Sequence, residues 1–127
     1  MKVKDIILCD DIRTEDNKKL IFIGVYPAGD VIIMGKMPYV FPKLSFAIKI
    51  AAEKGEYEFY TSLKNPDQNK IIDTVSQKTV IEADKKEFLV MLSIVGLKIE
   101  KTGEYTFEIY EGKKLLEEYK FQVSHKP

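Results

Sequence analysis

Period-two hydrophobicity runs through nearly all of this sequence and restricts the fold to β-structure. Leu44, Phe46, Ile48 and Ile50 alternate with Ser45, Ala47, Lys49 and Ala51. Tyr57, Phe59, Thr61 and Leu63 alternate with Glu56, Glu58, Tyr60 and Ser62, and Tyr105, Phe107 and Ile109 with Thr106, Glu108 and Tyr110. No stretch carries the repeat of an amphipathic helix. With 127 residues, 45% of them apolar, the chain fills one hydrophobic core and not two. The expectation is one all-β domain over residues 1–127, an antiparallel two-sheet sandwich, immunoglobulin-like, of about eight strands.

Turn chemistry divides the pattern. Residues 3–9 and 19–26 are expected to form a hairpin, with Asp16-Asn17 at its tip. Leu20-Ile21-Phe22-Ile23-Gly24-Val25-Tyr26 is apolar on both faces, which suits a strand buried on both sides or one whose outer face a partner covers. Residues 43–52 and 56–63 read as a second hairpin through Glu53-Lys54-Gly55. Short edge-like strands follow over 71–75 and 79–81. Phe88–Ile94 is a second strongly apolar run, and Leu97 and Ile99 fall in a connection. The last hairpin turns at Glu111-Gly112-Lys113, with Leu115, Tyr119, Phe121 and Val123 on one face opposite Leu116, Lys120 and Gln122. Gly103-Glu104-Tyr105 at the start of a late strand has the form of a tyrosine corner. Gly55-Glu56-Tyr57 echoes it without a surrounding repeat and reads as convergent strand chemistry.

Composition removes many functions. Twenty basic residues balance twenty acidic ones, so the basic excess of a nucleic-acid binder is missing. One cysteine and one histidine leave no zinc cluster and no disulfide framework. No Gly-rich phosphate loop is present, and no cofactor is expected. No apolar run approaches the roughly 18 residues of a membrane span, and the N-terminal run ending at Cys9 is too short for a secretory signal. The expected location is cytoplasmic, with neither nucleic acid nor membrane as partner.

The most distinctive cluster is Cys9-Asp10-Asp11-Ile12-Arg13. Together with Leu20-Ile21-Phe22-Ile23-Gly24-Val25-Tyr26 it resembles an uncharacterised family of small bacterial β-sandwich proteins. In that family a Cys-acidic-acidic-Ile-Arg stretch precedes a Leu-Ile-Gly-Val-Tyr strand. The resemblance implies a fold and a bacterial or phage setting, and no activity.

No catalytic constellation stands out. Cys9 activated by Arg13 would be a nucleophile, but buried inert cysteines are commoner. A Cys9–His125 dyad would need the frayed C-terminus to be fixed. Asp5, Asp10, Asp11, Glu15 and Asp16 lack the spacing of a calcium loop, so no metal site is assigned. Glu56, Glu58, Glu104 and Glu108 read as an outward strand face, with Lys49, Lys98 and Lys120 as cross-strand partners.

Val31–Phe41 is the remaining feature, rich in Met and aromatics and broken by Gly35 and Pro38. Proline excludes it from a central strand. It is either a plug over the end of the core or an exposed interface. The expected function is a non-enzymatic protein-binding or self-associating module using Met34, Met37, Tyr39 and Phe41, supported by strand 20–26. The alternative is a small-ligand or nucleotide pocket between loops 10–18 and 27–42. There Asp11 and Arg13 would orient the ligand, and Tyr26 and Tyr39 would stack on it.

Overall fold

The computed structural model describes residues 1–73, 76–82 and 87–127. Among them are ten strands: β1 (Lys2–Thr14), β2 (Leu20–Val25), β3 (Asp30–Met34), β4 (Tyr39–Ala51), β5 (Gly55–Lys64), β6 (Lys70–Asp73), β7 (Gln77–Ile81), β8 (Glu87–Ile99), β9 (Gly103–Glu111) and β10 (Lys114–Lys126). They form a four-stranded sheet, β2-β1-β4-β8, and a six-stranded sheet, β3-β10-β9-β5-β6, with β7 also paired to β5. The fold is all-β and two-layered, as expected. The ten strands are close to the expected number of about eight, with β3, β6 and β7 as short edge pieces. Part of the 71–75 segment lies outside the described residues.

The two sheets bury their alternating apolar faces against each other. Leu8, Leu44, Phe46 and Ile48 meet Phe59, Leu63, Phe107, Phe121 and Val123. Phe46 stacks on Phe107 with ring centroids 3.9 Å apart, and Tyr105 on Phe121 at 5.7 Å. Burying each such ring stabilises the fold by about 1.5–3 kcal/mol.

Residues 43–52 and 56–63 are not a hairpin. β4 belongs to the four-stranded sheet and β5 to the six-stranded one, so the chain crosses between layers at 52–54. Crossing lets both strands bury their apolar faces in one core. The Tyr57 hydroxyl donates to the Glu53 carbonyl at 2.8 Å. At the crossing from β8 to β9, the Tyr105 hydroxyl donates to the Lys101 carbonyl at 2.7 Å. Both Gly-x-Tyr segments therefore pin the same passage with the same bond, so the echo is a shared device rather than convergence of strand chemistry. Gly103 also packs on Pro66, where a Cβ would lie 2.9 Å from the ring.

Four further details depart from expectation. β3 runs parallel to β10, so the six-stranded sheet is mixed at that edge. The short link from β2 carries β3 across to the other sheet in that direction. Pro42 lies inside β4, a central strand. β1 pairs with β4 only as far as Cys9 opposite Ser45, so β4 is unpaired on that side at Pro42. Leu97 and Ile99 belong to β8 and are buried. In β4 the inward residues are odd-numbered up to Phe41 and even-numbered from Leu44, and in the antiparallel β8 they are even-numbered up to Ile94 and odd-numbered from Leu97, a switch at the level of Pro42 and Gly96. Finally, a register shift between Leu115 and Glu117 puts Leu115 outside and turns Leu116 toward the core.

Candidate functional site

The residues expected to form a site separate into three groups. Asp11 and Arg13 come together on the outer face of the four-stranded sheet. Arg13 Nε donates to Asp11 Oδ2 at 3.1 Å, and Lys43 Nζ to Asp11 Oδ1 at 2.5 Å. Lys43 and Arg13 hold the Asp11 carboxyl below its ordinary range. With both oxygens bonded, Asp11 is paired within the chain.

Tyr26 lies on the inner side of this corner. Its hydroxyl donates to the Asp10 carboxylate. Burial, reinforced by Asp10 and by nearby Tyr39, pushes the phenol well above the ordinary tyrosine range. The Asp10 carboxyl occupies the space over Gly24 that a Cβ would fill, and Gly24 has a φ of +66°. The Asp-…-Gly-Val-Tyr pattern is thus, in this chain, a latch joining β1 to the end of β2.

The third group is the 31–41 segment, which is neither wholly plug nor wholly interface. Val31, Ile33 and Phe41 are buried in the core, whereas Ile32, Met34 and Val40 are exposed. Met37 and Tyr39 pack partly against the core, with Tyr39 edge-on to Phe41 at 4.9 Å. Period two explains the split: β3 pairs with β10 and presents alternate residues inward.

Cys9 is fully buried, and burial together with Asp10 raises its thiol pKa. Its Sγ contacts the Asp11 carbonyl at 3.4 Å. His125 lies in the other sheet, bonded to the Gly35 carbonyl. Three of the five carboxylates considered for a metal are engaged locally: Asp5 accepts from Ile6 N–H, Asp10 from Tyr26 and Asp11 from two cations.

The site that sequence reading missed is the outer face on which Asp11 sits. Seven of the twelve exposed large apolar side chains among the described residues share it: Ile21, Ile23 and Val25 on β2 and Leu89, Met91 and Val95 on β8 flank it, and Val40 of β4 stands at one end. Between these two flanks the floor is small. One row across the sheet reads Val25, Cys9, Ser45, Ser93, and the next reads Ile7, Ala47, Met91. Ser45 Oγ bonds Ser93 Oγ at 2.9 Å and the Asp10 carbonyl at 3.3 Å, so the central hydroxyls are turned to one another. The result is an apolar sheet face with charge at two places, the Asp11–Arg13–Lys43 cluster and the Lys49–Glu87 pair. The available signal was β2, whose two apolar faces allowed for a covered outer side.

The opposite outer face was misread in another way. Glu108 is not solvated; it is 3% exposed. It accepts from Ser62 at 3.1 Å and pairs with Lys64 at 3.2 Å, not with the lysines expected. Burial alone would raise its pKa, but Lys64, Ser62 and Tyr110 together hold it below the ordinary value. Of those expected lysines, Lys120 does pair with Glu104, at 3.6 Å, while Lys49 pairs with Glu87 and Lys98 with Glu100.

A protein-family model described as a family of unknown function (DUF6941) matches residues 4–124, and the chain belongs to that family. No curated protein matches the sequence. Among solved structures, a β-glucosidase from Listeria innocua is 9% identical at a TM-score of 0.49, covering 94% of this chain and 16% of its own. An alkylpurine DNA glycosylase from Pseudomonas fluorescens is 8% identical at a TM-score of 0.47, covering 97% of this chain and 30% of its own. An immunoglobulin-like protein from Pseudomonas aeruginosa is 12% identical at a TM-score of 0.41, covering 96% of this chain and 94% of its own. The chain thus spans a small part of the two enzymes. Among the described residues, no helix is long and apolar enough to cross a membrane.

Proposed function

We propose, for a member of a family of unknown function, that the domain is a non-enzymatic protein-binding or assembly module. Its docking surface on this reading is the outer face of the four-stranded sheet rather than the 31–41 segment. One observation carries it: among the described residues, seven of the twelve exposed large apolar side chains lie on this face, most of them around a floor of small residues. An outer sheet face is ordinarily polar, and a concentrated apolar one rimmed by charge suits a protein partner. Asp11, Arg13 and Lys43 supply the rim and fix orientation.

A photo-reactive amino acid placed at Val25 or Met91 tests this in producing cells. Adducts to protein are expected from both positions and not from Lys113 on the other sheet. Ile23→Lys should abolish the adducts while leaving the fold intact. Equal labelling from Lys113, or none from Val25 and Met91, overturns the reading.

The small-ligand alternative moves away from loops 10–18 and 27–42, where Asp11 and Tyr26 are engaged within the chain. Its support is a cleft of about 570 Å³ beside Tyr60, Tyr110, Lys70, Asp73 and Lys113, within the usual size range of ligand sites. Nucleotide or sugar titrations that perturb tyrosine fluorescence in wild type but not in Tyr60→Ala would favour it.

A further inference from the structure

In strand β8 the sequence and the position disagree. Phe88–Val95 contains no charged residue and no proline. That is the composition of a strand buried on both faces inside a sheet. Yet β8 ends the four-stranded sheet, bonded to β4 on one side and, among the described residues, to no strand on the other. A free edge presents a row of unpaired N–H and C=O groups that recruits another strand. Proteins ordinarily blunt such edges by shortness, charge, proline or bulges. The other edge strands here are short: β2 has 6 residues, β3 has 5, β6 has 4 and β7 has 5. β8 has 13. Its regular part runs from Glu87 to Val95 and ends at Gly96, whose φ is +73°.

We infer that this edge pairs with the same strand of a second copy, antiparallel, about a two-fold axis near Met91. Charge favours a second copy. Glu87 is the one charge in the regular part and stands at its end, so antiparallel self-pairing keeps the two Glu87 side chains at opposite ends. Every position between them meets an uncharged one. An axis through a residue also matches faces: Phe88 meets Ile94 and Val90 meets Leu92 on the core side, and Leu89 meets Ser93 on the outer side. Phe88 and Leu92, half-buried at the margin of the core, gain cover. The two-fold pairing closes on itself, whereas β8 against β2 of another copy would propagate into filaments. It joins two four-stranded sheets into one of eight and makes their apolar outer faces continuous. The inference rests on the reading of the domain as an association module and names the occupant of one edge.

Sedimentation equilibrium of the full chain tests it. Wild type is expected at twice 14.6 kDa. Met91→Lys and Met91→Glu each place like charges at the axis and should give folded monomers, because Met91 points outward and is half-exposed. An equimolar mixture of the two should dimerise at least tenfold more tightly than either alone. Val25→Lys, at the far edge of the sheet, should stay dimeric. Should either Met91 variant fail to fold by circular dichroism, the Leu89→Lys/Ser93→Lys double variant, which sets lysine against lysine at both 89–93 pairs, serves in its place, with the same monomer expected. A monomeric wild type, a dimer that survives Met91→Lys, or a dimer that Val25→Lys splits overturns edge pairing. Adducts from Val25 in a monomeric wild type would leave the docking reading standing, and a β8-paired dimer with no adducts from Val25 would remove that reading alone.

Discussion

The outer faces of the two sheets follow opposite rules. On the six-stranded sheet, Ser62, Glu108, Lys64 and Tyr110 form a closed polar network, and Glu104 pairs with Lys120 beside it. On the four-stranded sheet, Ile21, Ile23, Val25, Leu89, Met91 and Val95 stand exposed around small residues. One chain, with equal numbers of acidic and basic residues to distribute, gave one outer face a closed polar network and left the other with large exposed apolar side chains between two ion-pair clusters, Asp11–Arg13–Lys43 and Lys49–Glu87. Solubility alone would cover both. The difference indicates that the second face has a different neighbour, which is the physical content of the docking reading.

The difference can be broken first on the polar side. Lys64→Met strands a buried carboxylate and should cost about 3 kcal/mol in denaturant unfolding, at the low end for such pairs because Lys64 is partly exposed. The same network predicts an acid limb. The Glu108 carboxyl in the folded state lies below its ordinary value of 4.5. Its contribution is complete above the unfolded value and is lost as pH falls through the folded one. Glu108→Gln should flatten this part of the stability–pH curve, measured by thermal melts from neutral to acid pH.

Smaller effects belong to the latch and the corners. Gly24→Ala should cost about 1–2 kcal/mol from its left-handed backbone alone, and more as the new Cβ displaces Asp10. Tyr105→Phe should cost about 1 kcal/mol, and Tyr57→Phe less, since its bond to Glu53 is exposed to water. Equal losses at the two corners would contradict their unequal burial. The smallest effect is expected on the apolar face away from β8, where Val25→Thr should change stability by less than about 0.5 kcal/mol. A large loss there would make the face structural.

Period two placed nearly every strand, because it needs no knowledge of pairing. Pairing itself was harder to read. β4 and β5 alternate as hairpin strands do, and only Gly55-x-Tyr57, a copy of the corner at Tyr105, carried the signal that the chain changes layer there. The parity switch at Pro42 and Gly96 and the shift near Leu116 were hidden for the same reason: each reverses inside and outside without changing composition. Glu108 looked solvated because alternation assigns a face but not what covers it. The docking face was legible only in part, in the two-sided apolar character of β2. Its other half lies on β8, distant in sequence and brought beside β4 by folding.

Methionine oxidation separates the two interface candidates within a single sample. Met91, on the apolar face, is 45% exposed, and Met34, in the segment first expected to bind, is 68% exposed. Dilute peroxide on the purified folded chain gives each residue's rate with any β8 pairing in place, and the same treatment in producing cells gives any added protection, both read by peptide mass. The docking reading predicts strong protection of Met91 in cells, with Met34 oxidised as freely as its exposure allows. Protection of Met34 with Met91 left reactive would return the interface to the 31–41 segment and contradict the account.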